Sequence, residues 1–180
     1  MRSCIPLFLL IAGAAIPASA QTRPAVSLPL VEIGANFSFD GIPREGSGSS
    51  LSAIGLTGSI AHDLSSQLAI VAEGGTAALR AGAGGRFTTL VGGAHVSTGF
   101  YNDSADRSPG RFFAQLLGGA ELSSGVSSPV VLAGVGADVL LAPSPGVAFH
   151  WSLDYRWTPT RAPNLAGARL VVGLVFGPHV

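Results

Sequence analysis

Val147-Ala148-Phe149-His150-Trp151-Ser152-Leu153-Asp154-Tyr155-Arg156-Trp157 is the stretch whose reading decides the fold. Val147, Phe149, Trp151, Leu153, Tyr155 and Trp157 fall on one face. Ala148, His150, Ser152, Asp154 and Arg156 fall on the other. Sorting with a period of two is the signature of a β-strand, because successive side chains point to opposite sides of the pleat. Every ionisable group of the stretch except the Tyr155 phenol lies on the second face. A strand of this kind can set its apolar face against lipid or against a protein core.

The same sorting recurs along the chain and predicts eight strands. The first covers residues 30–39, with Val31, Ile33, Ala35, Phe37 and Phe39 opposite Glu32, Gly34, Asn36 and Ser38. The second covers 53–61 and the third 67–77, where Leu68, Ile70 and Ala72 oppose Glu73. The fourth, 87–101, sets Leu90, Ala94, Val96, Thr98 and Phe100 against Thr89, His95 and Ser97. The fifth, 111–123, turns Phe112, Ala114, Leu116, Ala120 and Leu122 away from Gln115 and Glu121. The sixth, 130–141, opposes Ala133, Val135, Ala137 and Val139 to Asp138; the seventh is the opening stretch. The eighth, 166–176, opposes Leu170, Val172, Leu174 and Phe176 to Arg169 and Gly173. No charged residue is expected on any apolar face. Short turns are expected at 62–66 and 142–146. Longer loops are expected at 40–50, 80–86, 123–129 and 158–165, on the side away from the termini. The polar connection 102–110 would be a long one on the terminal side.

Residues 1–20 read as an export signal. Arg2 supplies the positive start, Ile5 to Ile16 an apolar stretch, and Ala18-Ser19-Ala20 a small-residue cleavage site, so the mature chain is expected to start at Gln21. Residues 21–29 form a short lead, and 30–180 one domain. The only cysteine, Cys4, lies within the signal, so the mature domain has no disulfide to rely on. The chain has no lysine, and its net charge is zero, which argues against nucleic-acid binding, since that needs a basic face. Charged residues make up 11% of the chain, against roughly 25% in soluble domains. Mean hydropathy is positive, yet beyond residue 20 no uncharged apolar run is long enough to span a bilayer as a helix. Asp138 interrupts the best candidate, residues 130–141.

The polar faces separate two kinds of barrel. A soluble barrel would fill its water-facing side with Lys, Glu and Thr. Here that face carries Gly, Ala and Ser with scattered charges, which suits the cramped interior of an eight-stranded barrel. The expected fold is therefore all-β: an eight-stranded antiparallel up-and-down transmembrane barrel in a bacterial outer membrane. The alternative is a soluble secreted or periplasmic barrel that binds a small apolar ligand.

Several stretches, in order, resemble the small bacterial outer-membrane β-barrel family, whose domain is an eight-stranded barrel. They are Thr89-Leu90-Val91-Gly92-Gly93-Ala94-His95-Val96-Ser97, Phe113-Ala114-Gln115-Leu116-Leu117-Gly118-Gly119-Ala120, Ala133-Gly134-Val135-Gly136-Ala137-Asp138-Val139, Asp154-Tyr155-Arg156-Trp157-Thr158 and Arg169-Leu170-Val171-Val172-Gly173-Leu174-Val175-Phe176. The resemblance spans roughly residues 30–177. It implies insertion by the barrel-assembly machinery, which in many members reads a C-terminal aromatic residue. Here Phe176 is followed by Gly177-Pro178-His179-Val180.

In such a barrel Glu32, Glu73, His95, Gln115, Glu121, Asp138, His150, Asp154, Arg156 and Arg169 share one narrow interior. Buried charges must be paired, so this cluster is expected to be structural. Arg156 and Arg169, on neighbouring strands, could bridge Asp154, Asp138 or Glu32 across the closing seam. Phe100, Tyr101, Phe112, Trp151, Tyr155 and Trp157 are expected to form aromatic girdles at the membrane surfaces. His150-Trp151-Ser152 has the His-x-Ser spacing of some outer-membrane lipid hydrolases. Leu153 and Asp154 then depart from that pattern, and both side chains would face inward. No catalytic, cofactor or metal site is expected, and the four histidines show no metal-ligand spacing. The expected protein is a monomer whose partner is the bilayer, with a structural or surface-interaction role. A lipid-modifying hydrolase is the remaining alternative.

Overall fold

In the computed structural model the described residues are 31–43, 50–80, 85–98, 110–141, 146–159 and 165–177. They form eight strands: β1 (Val31–Pro43), β2 (Ser50–Asp63), β3 (Leu68–Leu79), β4 (Arg86–Ser97), β5 (Gly110–Ser123), β6 (Val126–Leu140), β7 (Val147–Thr158) and β8 (Leu165–Phe176). Each pairs antiparallel with its sequence neighbours, and β8 returns to β1 to close the barrel. Closure leaves no unpaired sheet edge, the condition for a sheet to stand in a medium that cannot hydrogen-bond to it. At the seam Ile33 lies opposite Phe176 and Phe37 opposite Val172. The start of β1 and the end of β8 therefore share one end, called here the terminal end; the other is the far end.

The alternation sorts the side chains inside out relative to a soluble domain. Leu90 is 64% exposed, Leu116 60% and Leu56 58%, whereas Asp138 and Asp154 are each 1% exposed. The interior also holds more bulk than the sequence pattern suggested. Val71, Val91, Leu117, Val130 and Leu132 form a buried aliphatic cluster contributed by β3 to β6. A second cluster joins Ala53, Ala77 and Phe87. Inward glycines such as Gly134 and Gly136 stand where a neighbouring strand or side chain presses close.

Three expectations are corrected. The loop expected at 123–129 is a two-residue turn, Ser124-Gly125, with φ of 51° and 78°. Positive φ at both central residues gives the turn that matches the twist of a hairpin. The segment Ser123-Ser124-Gly125-Val126-Ser127-Ser128-Pro129 has the composition of a loop, but β6 starts at Val126 and runs through Pro129. Pairing of β6 with β7 begins only at Val131, so Pro129 sits where its missing N–H costs no ladder bond on that side. The far end therefore carries the tightest connection, and the longest, between Ser97 and Gly110, lies at the terminal end. The first of these reverses the expected asymmetry; the second is long and on the terminal side, as the polar composition of 102–110 led one to expect. Finally, β4 begins at Arg86 and β3 continues to Leu79. Arg86 and the adjoining Arg80, both exposed, thus stand on the outward face at the far end, which is not free of charge after all.

The export signal, the lead at 21–29, Phe100, Tyr101 and most of the connection 102–110 lie outside the described residues.

Candidate functional site

Three arginines organise the interior, and each joins two carboxylates. Near the terminal end, Arg111 on β5 donates from Nε to Asp138 Oδ2 at 2.7 Å and from Nη2 to Glu32 on β1. Asp138 is the register partner of Arg111 on β6, whereas Glu32 is reached across the lumen. His150 extends the group, its Nδ1 lying 2.6 Å from Asp138 Oδ1. In the middle, Arg169 on β8 donates from Nε and Nη2 to Asp154 Oδ2 at 3.0 and 2.8 Å. It also pairs with both Glu73 oxygens, Nη2 to Oε2 at 3.1 Å. Towards the far end, Arg156 on β7 donates from Nη1 to Asp40 Oδ1 at 2.9 Å and pairs through Nη2 with Glu121.

The three arginines and their six carboxylates are all buried. Taking so many charges out of water is tolerable only where each guanidinium fork meets more than one acceptor. Arg156 gains a further contact, its Cζ lying 4.5 Å from the centre of the Phe87 ring.

The backbone makes room for this network. Gln115, Gly134 and Asp154 occupy one row across β5, β6 and β7. Gln115 Nε2 donates to Asp154 Oδ1 at 2.8 Å, passing over Gly134. A Cβ at Gly134 would come within 2.0 Å of that oxygen. One row nearer the terminal end, Phe113 lies over Gly136, where a Cβ would meet its ring at 2.5 Å. The Phe113 ring stacks on His150, with centroids 5.4 Å apart, and lies 4.3 Å from the His95 ring on its other neighbour.

The ten residues singled out for the interior all face the lumen. Glu32, Glu73, His95, Glu121, Asp138, Asp154, Arg156 and Arg169 are buried, and Gln115 and His150 are partly so. The structure pairs them differently from the seam bridges expected. Arg169 takes Asp154, but Asp138 and Glu32 go to Arg111, and Arg156 goes to Asp40 and Glu121. Arg111 and Asp40 were missed. Both carried a legible signal, since Arg111 has the parity of Gln115 and Glu121, and Asp40 that of Glu32 and Ser38.

Of the expected girdle residues, Phe112, Tyr155 and Trp157 are exposed and Trp151 is half-buried, all facing outward. Phe112 and Trp151 flank Ala137 in one row, while Tyr155 and Trp157 sit nearer the far end. The His150-x-Ser152 pair faces inward: His150 is held by Asp138, and Ser152, 1% exposed, points its Oγ to Asp154 Oδ2 at 3.5 Å.

Between the middle and far groups lies a cavity of about 10 Å³ lined by Ser38, Asp40, Thr57, Thr89, Arg156 and Arg169 among others. The buried Thr57 Oγ1 has no hydrogen-bond partner among the described residues. The space is of the order of one water molecule, in a setting rich in polar partners.

No family model matches the chain, and no curated protein matches it in sequence. Solved structures do. Neisserial surface protein A (NspA) superposes with a TM-score of 0.57 at 13% identity, covering 81% of this chain and 96% of that one. Ail, the attachment invasion locus protein of Yersinia pestis, in complex with the heparin analogue sucrose octasulfate, superposes at 0.51 and 10% identity, covering 84% and 99%. At such identities the likeness is one of architecture, and it places this chain's fold with the small eight-stranded β-barrels that those two proteins share.

Proposed function

We propose that the protein is a monomeric barrel of a bacterial outer membrane, with a side-chain-plugged interior and a structural or surface-interaction role. One observation carries this reading: the outward wall presents Leu, Ile, Val and aromatic side chains to its surroundings while ten ionisable groups are buried inside. Such a wall in water would be an apolar surface far beyond what soluble proteins expose. Against hydrocarbon it is the stable arrangement.

The N-terminal segment supports export with cleavage after Ala20, and Phe176 is the candidate signal for the assembly machinery. Trp151, Tyr155, Trp157 and Phe112, with Phe100 and Tyr101, would anchor the barrel at the membrane surfaces. The interior network would act as structural glue, since a guanidinium holds each pair of carboxylates across the lumen. Surface contacts, in this reading, belong to the connecting segments.

Two rivals predict different outcomes. A soluble barrel with an apolar ligand needs an apolar interior, whereas salt bridges cross this one. A hydrolase would need Ser152 to reach lipid, but its side chain is buried in the lumen. The deciding experiment is membrane fractionation followed by gel mobility with and without boiling. A folded membrane barrel is recovered with the outer membrane and shifts on boiling. Recovery in the soluble fraction without a shift would sink the proposal. Lipid hydrolysis that disappears in Ser152→Ala, with the boiling shift retained, would establish the enzyme instead.

A further inference from the structure

We infer that the outward face of the β3–β4 hairpin binds a lipid whose headgroup is a net-anionic phosphate monoester. Arg80 and Arg86 would hold the phosphate, and the acyl chains would lie over the small residues beneath. The inference rests on the membrane reading above and adds a ligand class and a place.

The first observation is the distribution of charge. Among the described residues, the only arginines on the outward wall are Arg80 and Arg86, and no carboxylate shares that wall. The two belong to one hairpin at the far end. Arg86 lies opposite Ala78 on β3, and Arg80 follows two residues later on the same face, its N–H bonded to the Ser52 carbonyl at 2.9 Å. Diagonal neighbours across a strand pair are about 7–8 Å apart at Cα. Two long side chains at that spacing can converge on one phosphate, and the guanidinium fork matches phosphate oxygens. Ser52 and Thr88, both exposed on this face, add hydroxyl donors beside them.

The second observation is the relief of the wall below. Gly58 pairs with Gly74, and Ala72, Gly92 and Gly118 form one row across β3, β4 and β5. A Cβ at Gly118 would meet nothing within 4 Å, and at Gly58, Gly74 and Gly92 its nearest neighbours lie at 3.8, 3.5 and 3.5 Å. These outward glycines therefore do not relieve a backbone clash, unlike Gly134 inside. They lower the surface between Leu56, Leu90 and Leu116, which stand exposed beside them. A trough of this kind offers a flexible chain closer contact than a wall of large side chains. On the other side of the barrel the outward face is built up by Phe37, Phe39, Tyr155 and Trp157. Charge and trough thus coincide on β2 to β5, at a depth order that fits a headgroup above its chains.

The test refolds the full mature chain into phosphatidylcholine vesicles containing a trace of spin-labelled phosphatidic acid or spin-labelled phosphatidylcholine. The spectrum reports the share of labelled lipid immobilised on the barrel. Wild type is expected to favour phosphatidic acid, by a factor of the order of five for each guanidinium engaged. The Arg80→Gln/Arg86→Gln variant should fall to parity between the two lipids. Gly118→Leu, whose Cβ would meet nothing within 4 Å, fills the trough and should weaken phosphatidic acid retention with both arginines present. A boiling-dependent gel shift, measured on each sample, separates two failures. Wild type that never inserts overturns the membrane reading and this inference with it. Inserted wild type without lipid preference, or a double variant that keeps it, overturns the inference alone. Competition by excess inorganic phosphate, but not by chloride at equal ionic strength, is expected; a preference that chloride abolishes equally well would overturn the assignment of a phosphate site.

Discussion

Gln115 on β5 and Asp154 on β7 are hydrogen-bonded at 2.8 Å although a whole strand separates them. The bond exists because the intervening position is Gly134, whose absent side chain leaves the passage open. The same Asp154 accepts from Arg169, so one glycine supports the central ion pair as well.

Gly134→Ala should therefore destabilise the barrel by about 1–3 kcal/mol, the usual cost of inserting a methyl into a filled interior. The added Cβ would lie 2.6 Å from the Leu153 carbonyl as well as 2.0 Å from the Asp154 carboxylate, so a side-chain shift alone cannot relieve it. Reversible urea unfolding in vesicles, followed by tryptophan fluorescence, measures the change. Gly118→Ala, on the open outward face, should leave the midpoint nearly unmoved.

Arg111→Met removes the cation from between Glu32 and Asp138. Breaking a buried ion pair by deleting one partner costs about 3–5 kcal/mol, because the other charges stay behind. The barrel should unfold at markedly lower urea. Adding Glu32→Gln and Asp138→Asn to the same variant should recover much of the loss. A single variant as stable as wild type would show that the group does not bear on stability.

Thr57→Val changes the shape of the side chain little and deletes the hydroxyl that faces the small polar cavity. With a water bonded to Thr57 Oγ1, stability should fall by about 1 kcal/mol, the net worth of one hydrogen bond, and the urea midpoint should fall with it. A midpoint that rises would mean that the hydroxyl is buried without a partner. Thr57→Ser, which keeps the donor, serves as the control.

Leu153→Arg places a charge on the outward wall, at a residue that is 50% exposed near mid-strand. In a bilayer this should cost about 2–4 kcal/mol, since the position lies near mid-depth. A soluble fold would accept the change with little effect, so unfolding measurements on this variant also bear on the membrane reading.

The strands were legible because their signal is local. Period-two sorting in 147–157 names both faces without knowledge of any other strand, and β7 runs Val147–Thr158. The lumenal placement of Glu73, Asp138 or Arg169 follows from the same parity. Partner choice was not legible, because it depends on register and stagger around the whole barrel. Arg169 lies in register with both Asp154 and Asp40, yet its second partner is Glu73 on β3. Arg111 escaped notice at the edge of a polar linker, and Asp40 next to a glycine that suggested a loop. The Ser124-Gly125 turn was hidden by its neighbours, whose composition signals a loop while their pairing partners make them strand.

The arginines also tie together parts of the chain made far apart in time. Arg111 meets Glu32 across 79 positions, Arg169 meets Glu73 across 96, and Arg156 meets Asp40 across 116. None of these partners can meet in a half-built sheet, which would present bare carboxylates to hydrocarbon. If the barrel enters lipid as proposed, a half-closed sheet would be costly there, so ring closure is expected to accompany lipid entry rather than follow it.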